Sequence, residues 1–185
     1  MNIPNVLSII RLCLVPVFVV VFFSGIPNAA LWAALIYAIA TLTDFLDGYI
    51  ARRYNQITNL GRVLDPLGDK MILFAVLACL TIEHILPLWA LAVFFAKELS
   101  MGLGGLVIHR HAKVEIPPSN YVGKAATVLF FIICVVLLVF PDIPYTAAAV
   151  MIGVCLAVSL AAFVTYLHRF LSIMRDPKNE AVTGD

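Results

Sequence analysis

Charge is scarce in this chain of 185 residues: 12% are Asp, Glu, Lys or Arg, against 63% hydrophobic, with a mean hydropathy of +1.03. Soluble domains carry about 25% charged residues, so this balance points to an integral membrane protein. The net charge of +1 leaves neither a basic surface for nucleic acid nor an acidic tail. Cysteine is sparse too. Cys13, Cys79, Cys134 and Cys155 lie singly in apolar segments with no CxxC spacing, so they read as small buried side chains rather than metal ligands or disulfides. Internal repeats and low-complexity linkers are missing, which leaves one helical domain over residues 1–174 and a polar tail over 175–185.

What is present is a series of apolar runs, about six, over residues 6–24, 30–52, 66–83, 87–108, 122–140 and 145–171. A helix of about 20 residues crosses 30 Å of hydrocarbon, and each run comes close. The expected fold is therefore an all-α integral membrane protein of about six transmembrane helices. Pro27, Pro87, Pro141 and Pro144 fall between runs or at their starts, where a missing amide donor does least harm; Pro16 lies inside the first run and is a candidate kink. Arg11 interrupts that run, so residues 2–10 read either as its beginning or as a short interfacial amphipathic helix before it. A cleaved signal peptide is the weaker reading, because no Lys or Arg precedes Arg11 and no clean small-residue cleavage site follows.

Basic residues fix the expected orientation. Arg52, Arg53 and Arg62 flank the second connection, Arg110, Lys113 and Lys124 the fourth, and Arg169, Arg175 and Lys178 the C-terminus, while the first, third and fifth connections hold no Lys or Arg. The positive-inside rule then predicts a multi-pass protein of the cell membrane with both termini and the 53–64 loop in the cytoplasm.

Against this apolar background stand four aspartates. Asp44 and Asp47 are three residues apart near the cytoplasmic end of the second span, about 60° apart around a helix. Asp65 and Asp69, four apart at the start of the third, also share a face. A short loop makes the two helices antiparallel neighbours, so the acidic faces meet at one depth. Each carboxylate costs about 2.5–3.5 kcal/mol at the centre of a membrane helix, and the nearby sequence offers too few cations to offset four. Two divalent cations would balance them, and Mg²⁺, with its preference for oxygen ligands and substrate phosphates, suits the set. Such a pair can clamp an in-line phosphoryl displacement. Arg52 could then neutralise a phosphate oxygen. Simpler readings exist for single residues: Asp65-Pro66 has the form of an N-cap with proline at N1, Asp47-Gly48 that of a turn, and Arg52-Arg53 that of interface anchors. None of these explains Asp44, Asp47 and Asp69 together.

The pattern Asp44-x2-Asp47-Gly48-x2-Ala51-Arg52-x8-Gly61-x3-Asp65-x3-Asp69 resembles the signature of the CDP-alcohol phosphotransferases, with eight fixed residues over 26 positions. That resemblance implies transfer of the phosphatidyl group of CDP-diacylglycerol to an alcohol with release of CMP. It implies Asp44, Asp47, Asp65 and Asp69 as ligands of two Mg²⁺ ions (Mn²⁺ being the alternative), with Asp69 also the general base on the acceptor hydroxyl. Gly48, Arg52 and Thr58 would contact the CDP moiety, and Ala51 and Gly61 would give it room. A homodimer in the lipid bilayer, with no nucleic-acid partner, is implied as well.

For the acceptor, Asn2-Ile3-Pro4-Asn5 with Ser8 and Arg11, together with 51–56 and 64–70, resembles phosphatidylglycerophosphate synthases, which use sn-glycerol 3-phosphate. Lys97, Lys124 and Arg110 are candidates for the acceptor phosphate. Lys97, well inside a span, must be paired or functional; its other reading is an ion pair with one of the aspartates or with Glu98 of a dimer partner. The stretch Gly123-Lys124-Ala125-Ala126-Thr127 is instead similar to cardiolipin synthases of the same family, whose acceptor is phosphatidylglycerol. A divalent-cation transporter subunit is the rival from another class, but it predicts acidic residues towards both membrane faces or a repeated half, and here the acids cluster at one.

Overall fold

The computed structural model describes residues 3–53, 61–111 and 121–175, and every described residue in a regular element is helical. Six helices follow one another: α1 (Ile3–Phe22), α2 (Ala29–Arg53), α3 (Gly61–Ile82), α4 (Leu88–His111), α5 (Tyr121–Val139) and α6 (Tyr145–Arg175). The six apolar runs map onto them one for one. The 175–185 tail lies, apart from Arg175, outside the described residues.

Two readings are decided at helix starts. α1 is continuous from Ile3 through Pro16 to Phe22, so among the described residues no separate short helix precedes it. Arg11 is accommodated inside the helix rather than breaking it. α3 begins at Gly61, not next to Pro66. Asp65 is thus already helical, and the N-cap reading for it falls.

Helix ends away from the aspartates are closed by local chemistry. After α3, the His84 amide bonds the Thr81 carbonyl at 3.1 Å and the Ile85 amide bonds the Leu80 carbonyl at 2.9 Å, with His84 at φ 58°. This is a Schellman closure with histidine where glycine is usual. Between α1 and α2, Gly25 (φ 66°) and Asn28 (φ 60°) supply the left-handed residues that reverse the chain.

α1 packs against both α2 and α3, α5 against α6 and α2, and α4 against α6. Small residues make close approach possible, as in helix packing within lipid. Ala33, Tyr37 and Ala40 recur at i, i+4 and i+7 on α2 and are all buried. An added Cβ on Gly153 of α6 would sit 3.6 Å from the Trp89 ring of α4. Aromatic contacts join the layers, Tyr37 to Phe131 at 5.4 Å and Phe94 to Phe130 at 5.5 Å between centroids. Some hydroxyls in the apolar helices bond the carbonyl one turn back, as Thr41 does to Tyr37 (2.9 Å) and Thr81 to Leu77 (2.7 Å), which satisfies them locally. Outward faces are apolar, with Val20, Trp32, Leu42, Leu88, Phe95, Val128, Val150 and Val164 exposed. α6 contains the one stretch among the described residues, Tyr145–Thr165, that is long and apolar enough to cross a membrane.

Ala33→Leu tests this packing. Ala33 is fully enclosed, and forcing extra carbon into a filled contact costs about 1–3 kcal/mol. Thermal unfolding in detergent should fall measurably, whereas Leu42→Ala, on an exposed position of the same helix, should leave it nearly unaltered.

Candidate active site

The acidic motif lies on the end of α2 and the beginning of α3, which the 54–60 connection joins. Helical backbone runs unbroken through Asp44, Asp47, Gly48, Ala51 and Arg52 on α2, and through Gly61, Asp65 and Asp69 on α3. The three- and four-residue spacings therefore do act at helical pitch. The side chains of Asp47, Gly48, Ala51, Arg52, Gly61, Asp65 and Asp69 lie outside the described residues, as does Thr58 altogether.

Asp44 is described, and it is not without a cation. Its Oδ1 lies 2.5 Å from Nη1 of Arg11 on α1; the Arg11 side chain is 0% exposed and that of Asp44 37%. The premise that too few cations serve the aspartates is corrected at this position. Arg11 is 33 residues upstream, beyond the reach of any local reading, and α1 brings it in. Ser8, one turn earlier, is equally buried. On the other side, a Cβ added to Gly68 of α3 would stand 3.4 Å from Arg11 Cδ, 3.8 Å from Nη1 and 3.8 Å from Leu12 Cγ. The arginine thus lies between the α2 aspartate and the α3 backbone. A sequence signal for it existed: an arginine within an apolar run, costly unless paired, one turn after a serine.

Lys97 on α4 shows the same logic. Its side chain is 10% exposed, and its Nζ lies 2.6 Å from Oε1 of Glu98 in the same chain. It also donates a hydrogen bond to Ser159 Oγ on α6 at 2.9 Å and sits 5.8 Å from the Phe94 ring centroid. The other Glu98 oxygen, Oε2, pairs with Lys70 of α3 at 2.6 Å. One carboxylate serves two ammonium groups, so among the described residues this node tying α3, α4 and α6 carries one excess positive charge. Lys70 is adjacent to Asp69 in sequence, which brings the node up to the acidic motif. Arg110, in the last turn of α4, and Lys124, in the first turn of α5, have side chains outside the described residues.

Fold and site together define an apolar, all-helical protein with acidic residues gathered at one joined end of two neighbouring helices and a buried arginine between those helices. The chain belongs to the CDP-alcohol phosphatidyltransferase family, whose model matches residues 1–167. It is 41% identical over 130 residues to a CMP-forming cardiolipin synthase of Streptomyces coelicolor, covering 69% of this chain and 60% of that protein. It is 33% identical over 138 residues to a CDP-diacylglycerol–glycerol-3-phosphate 3-phosphatidyltransferase of Bacillus subtilis, covering 68% and 70%. An Escherichia coli protein of the same name is 35% identical over 129 residues, with coverage of 68% and 70%.

Proposed function

We propose that the chain transfers the phosphatidyl group of CDP-diacylglycerol to the hydroxyl of sn-glycerol 3-phosphate, releasing CMP and forming phosphatidylglycerophosphate. The observation that carries this reading is the complete eight-residue motif on α2 and α3 in a chain of this family, with relatives named for that reaction. We read the six helices as membrane spans with the motif at the cytoplasmic side. The exposed apolar side chains and the basic residues beside the 54–60 and 112–120 connections support that orientation. A homodimer is part of the proposal.

The donor set fits divalent metal. Asp44, Asp47, Asp65 and Asp69 offer only hard carboxylate oxygens, and Arg11 offsets one of the four charges, leaving a net acidic set. Bound Mg²⁺, or Mn²⁺, would withdraw charge from the pyrophosphate and stabilise the departing CMP oxygen. The chain's own residues do the rest. Arg52 neutralises a phosphate oxygen, Gly48 and Thr58 contact the CDP group, and Ala51 and Gly61 leave it room. Asp69 accepts the proton of the acceptor hydroxyl as that oxygen attacks phosphorus. The excess charge shared by Lys70, Lys97 and Glu98, with Lys124 and Arg110, attracts the acceptor's phosphate.

A second reading, phosphatidylglycerol as acceptor, is favoured by the 41% identity to the Streptomyces coelicolor protein and by the 123–127 stretch. Purified protein given CDP-diacylglycerol, Mg²⁺ and each acceptor in turn distinguishes them through CMP release. Release with glycerol 3-phosphate alone is the expected result. Release with phosphatidylglycerol alone would replace the first reading by the second. Folded protein that releases no CMP with either would overturn both, and cation transport would become the activity to assay.

A further inference from the structure

We propose that Arg11 is a positioning residue for the metal site: from α1 it fixes the Asp44 carboxylate and holds α2 and α3 at the separation their aspartates need to share cations. The inference rests on the metal-site reading above. It goes beyond that reading because α1 contributes none of the motif's eight residues.

Three observations converge on it. The guanidinium is completely withdrawn from solvent, yet it meets a carboxylate that is not, 2.5 Å away. A permanently charged guanidinium buried in that location is an electrostatic anchor for Asp44, not a solvated surface pair. The contact is made to Oδ1, and in the metal-site reading the same carboxylate also meets a cation. On its other flank the arginine stem lies against Gly68 of α3, where a side chain's first carbon would already be in van der Waals contact at 3.4 Å. Gly68 immediately precedes Asp69. One side chain of α1 therefore references both acidic helices, and α1 packs along both of them. Partners that orient ligating carboxylates in this way typically matter by about 10–100-fold in metal affinity or activity when removed.

Three substitutions separate positioning from mere folding. Arg11→Gln removes the charge and the fork. Arg11→Lys keeps the charge alone. Gly68→Val leaves Arg11 intact but extends two methyl groups into the space its stem occupies. Mn²⁺ binding to full-length, metal-free protein in detergent, followed by loss of the free-ion paramagnetic resonance signal, reads the site without any turnover. Arg11→Gln is expected to raise the Mn²⁺ Kd about 10–100-fold, Arg11→Lys to recover part of that loss, and Gly68→Val to weaken binding in the same direction. Ala33→Leu, destabilised in a contact the site does not use, should bind as the parent does. If Arg11→Gln or Gly68→Val, folded by thermal unfolding, bound Mn²⁺ as tightly as the parent or more tightly, the positioning role would be overturned. If all destabilised variants including Ala33→Leu lost Mn²⁺ together, Arg11 would be a folding residue only. A parent protein that bound no Mn²⁺ would instead remove the metal-site reading itself, and this inference with it.

Discussion

Asp69→Asn is expected to lower the rate of CMP release by about 10²–10⁴-fold, the range that a positioned proton acceptor contributes. The substitution preserves size and helix compatibility, so the protein should fold and retain CDP-diacylglycerol. On the proposed mechanism it would remove the basic oxygen that receives the acceptor's proton, together with one negative charge of the proposed metal site. The loss should therefore appear in kcat at saturating glycerol 3-phosphate rather than in its KM, since the missing interaction is made in the transition state. Residual activity within about tenfold of the parent would place the base elsewhere, with Asp65 the next residue to substitute. The position of α3 gives the comparison its meaning: because the helix begins at Gly61, both aspartates belong to the same regular turn structure and neither is set aside as a capping residue.

Removing divalent cations should have an effect at least as large. Treatment with a chelator is expected to take CMP release to background, and Mg²⁺ or Mn²⁺ should restore it. The physical reason is charge. Four aspartates lie on two adjoining helix ends, and the described residues supply one arginine directly to one of them; in the proposed site the remaining carboxylates would repel one another without a cation. The same repulsion gives a second readout. A cation that binds only the folded state adds about 2.7 kcal/mol of stability at a concentration 100 times its Kd, so the thermal midpoint should rise with Mg²⁺ and should rise less in Asp44→Asn. Full activity in chelator would end the metal-site reading and leave Arg11, Arg52 and the lysines to carry the phosphate charge alone.

The helices were legible because each needs only local information. Apolar runs separated by prolines and short polar stretches set six elements, and their bounds agree with the structure to within a few residues, the start of α3 being the largest departure. That departure has a definite cause. The first turn of α3, Gly61-Arg62-Val63-Leu64-Asp65, is too polar to register as apolar, and Pro66 imitates a helix start. The acidic motif was legible as well, since its spacings are helical spacings and its residue types admit few other uses.

Compensation of buried charge was not legible. Apolar surroundings tolerate neither Arg11 nor Lys97 alone, but the sequence named no partner for Arg11, and for Lys97 it offered an aspartate or Glu98 of a dimer partner where the structure has Glu98 of the same chain. Asp44 is 33 residues from Arg11, while Ser159 is 62 from Lys97, and Lys70 is 28 from the Glu98 that it shares with Lys97. Pairings across such distances depend on which helices lie side by side, and α1 takes its place against both α2 and α3 through side-chain fit that hydropathy does not encode. Thus the sequence by itself determined the helices, their apolar faces and the acidic motif, all properties of periodicity and residue type along a few turns. Only the tertiary structure decided which cation meets which carboxylate, because an ion pair depends on distance in space and falls off within a few ångströms.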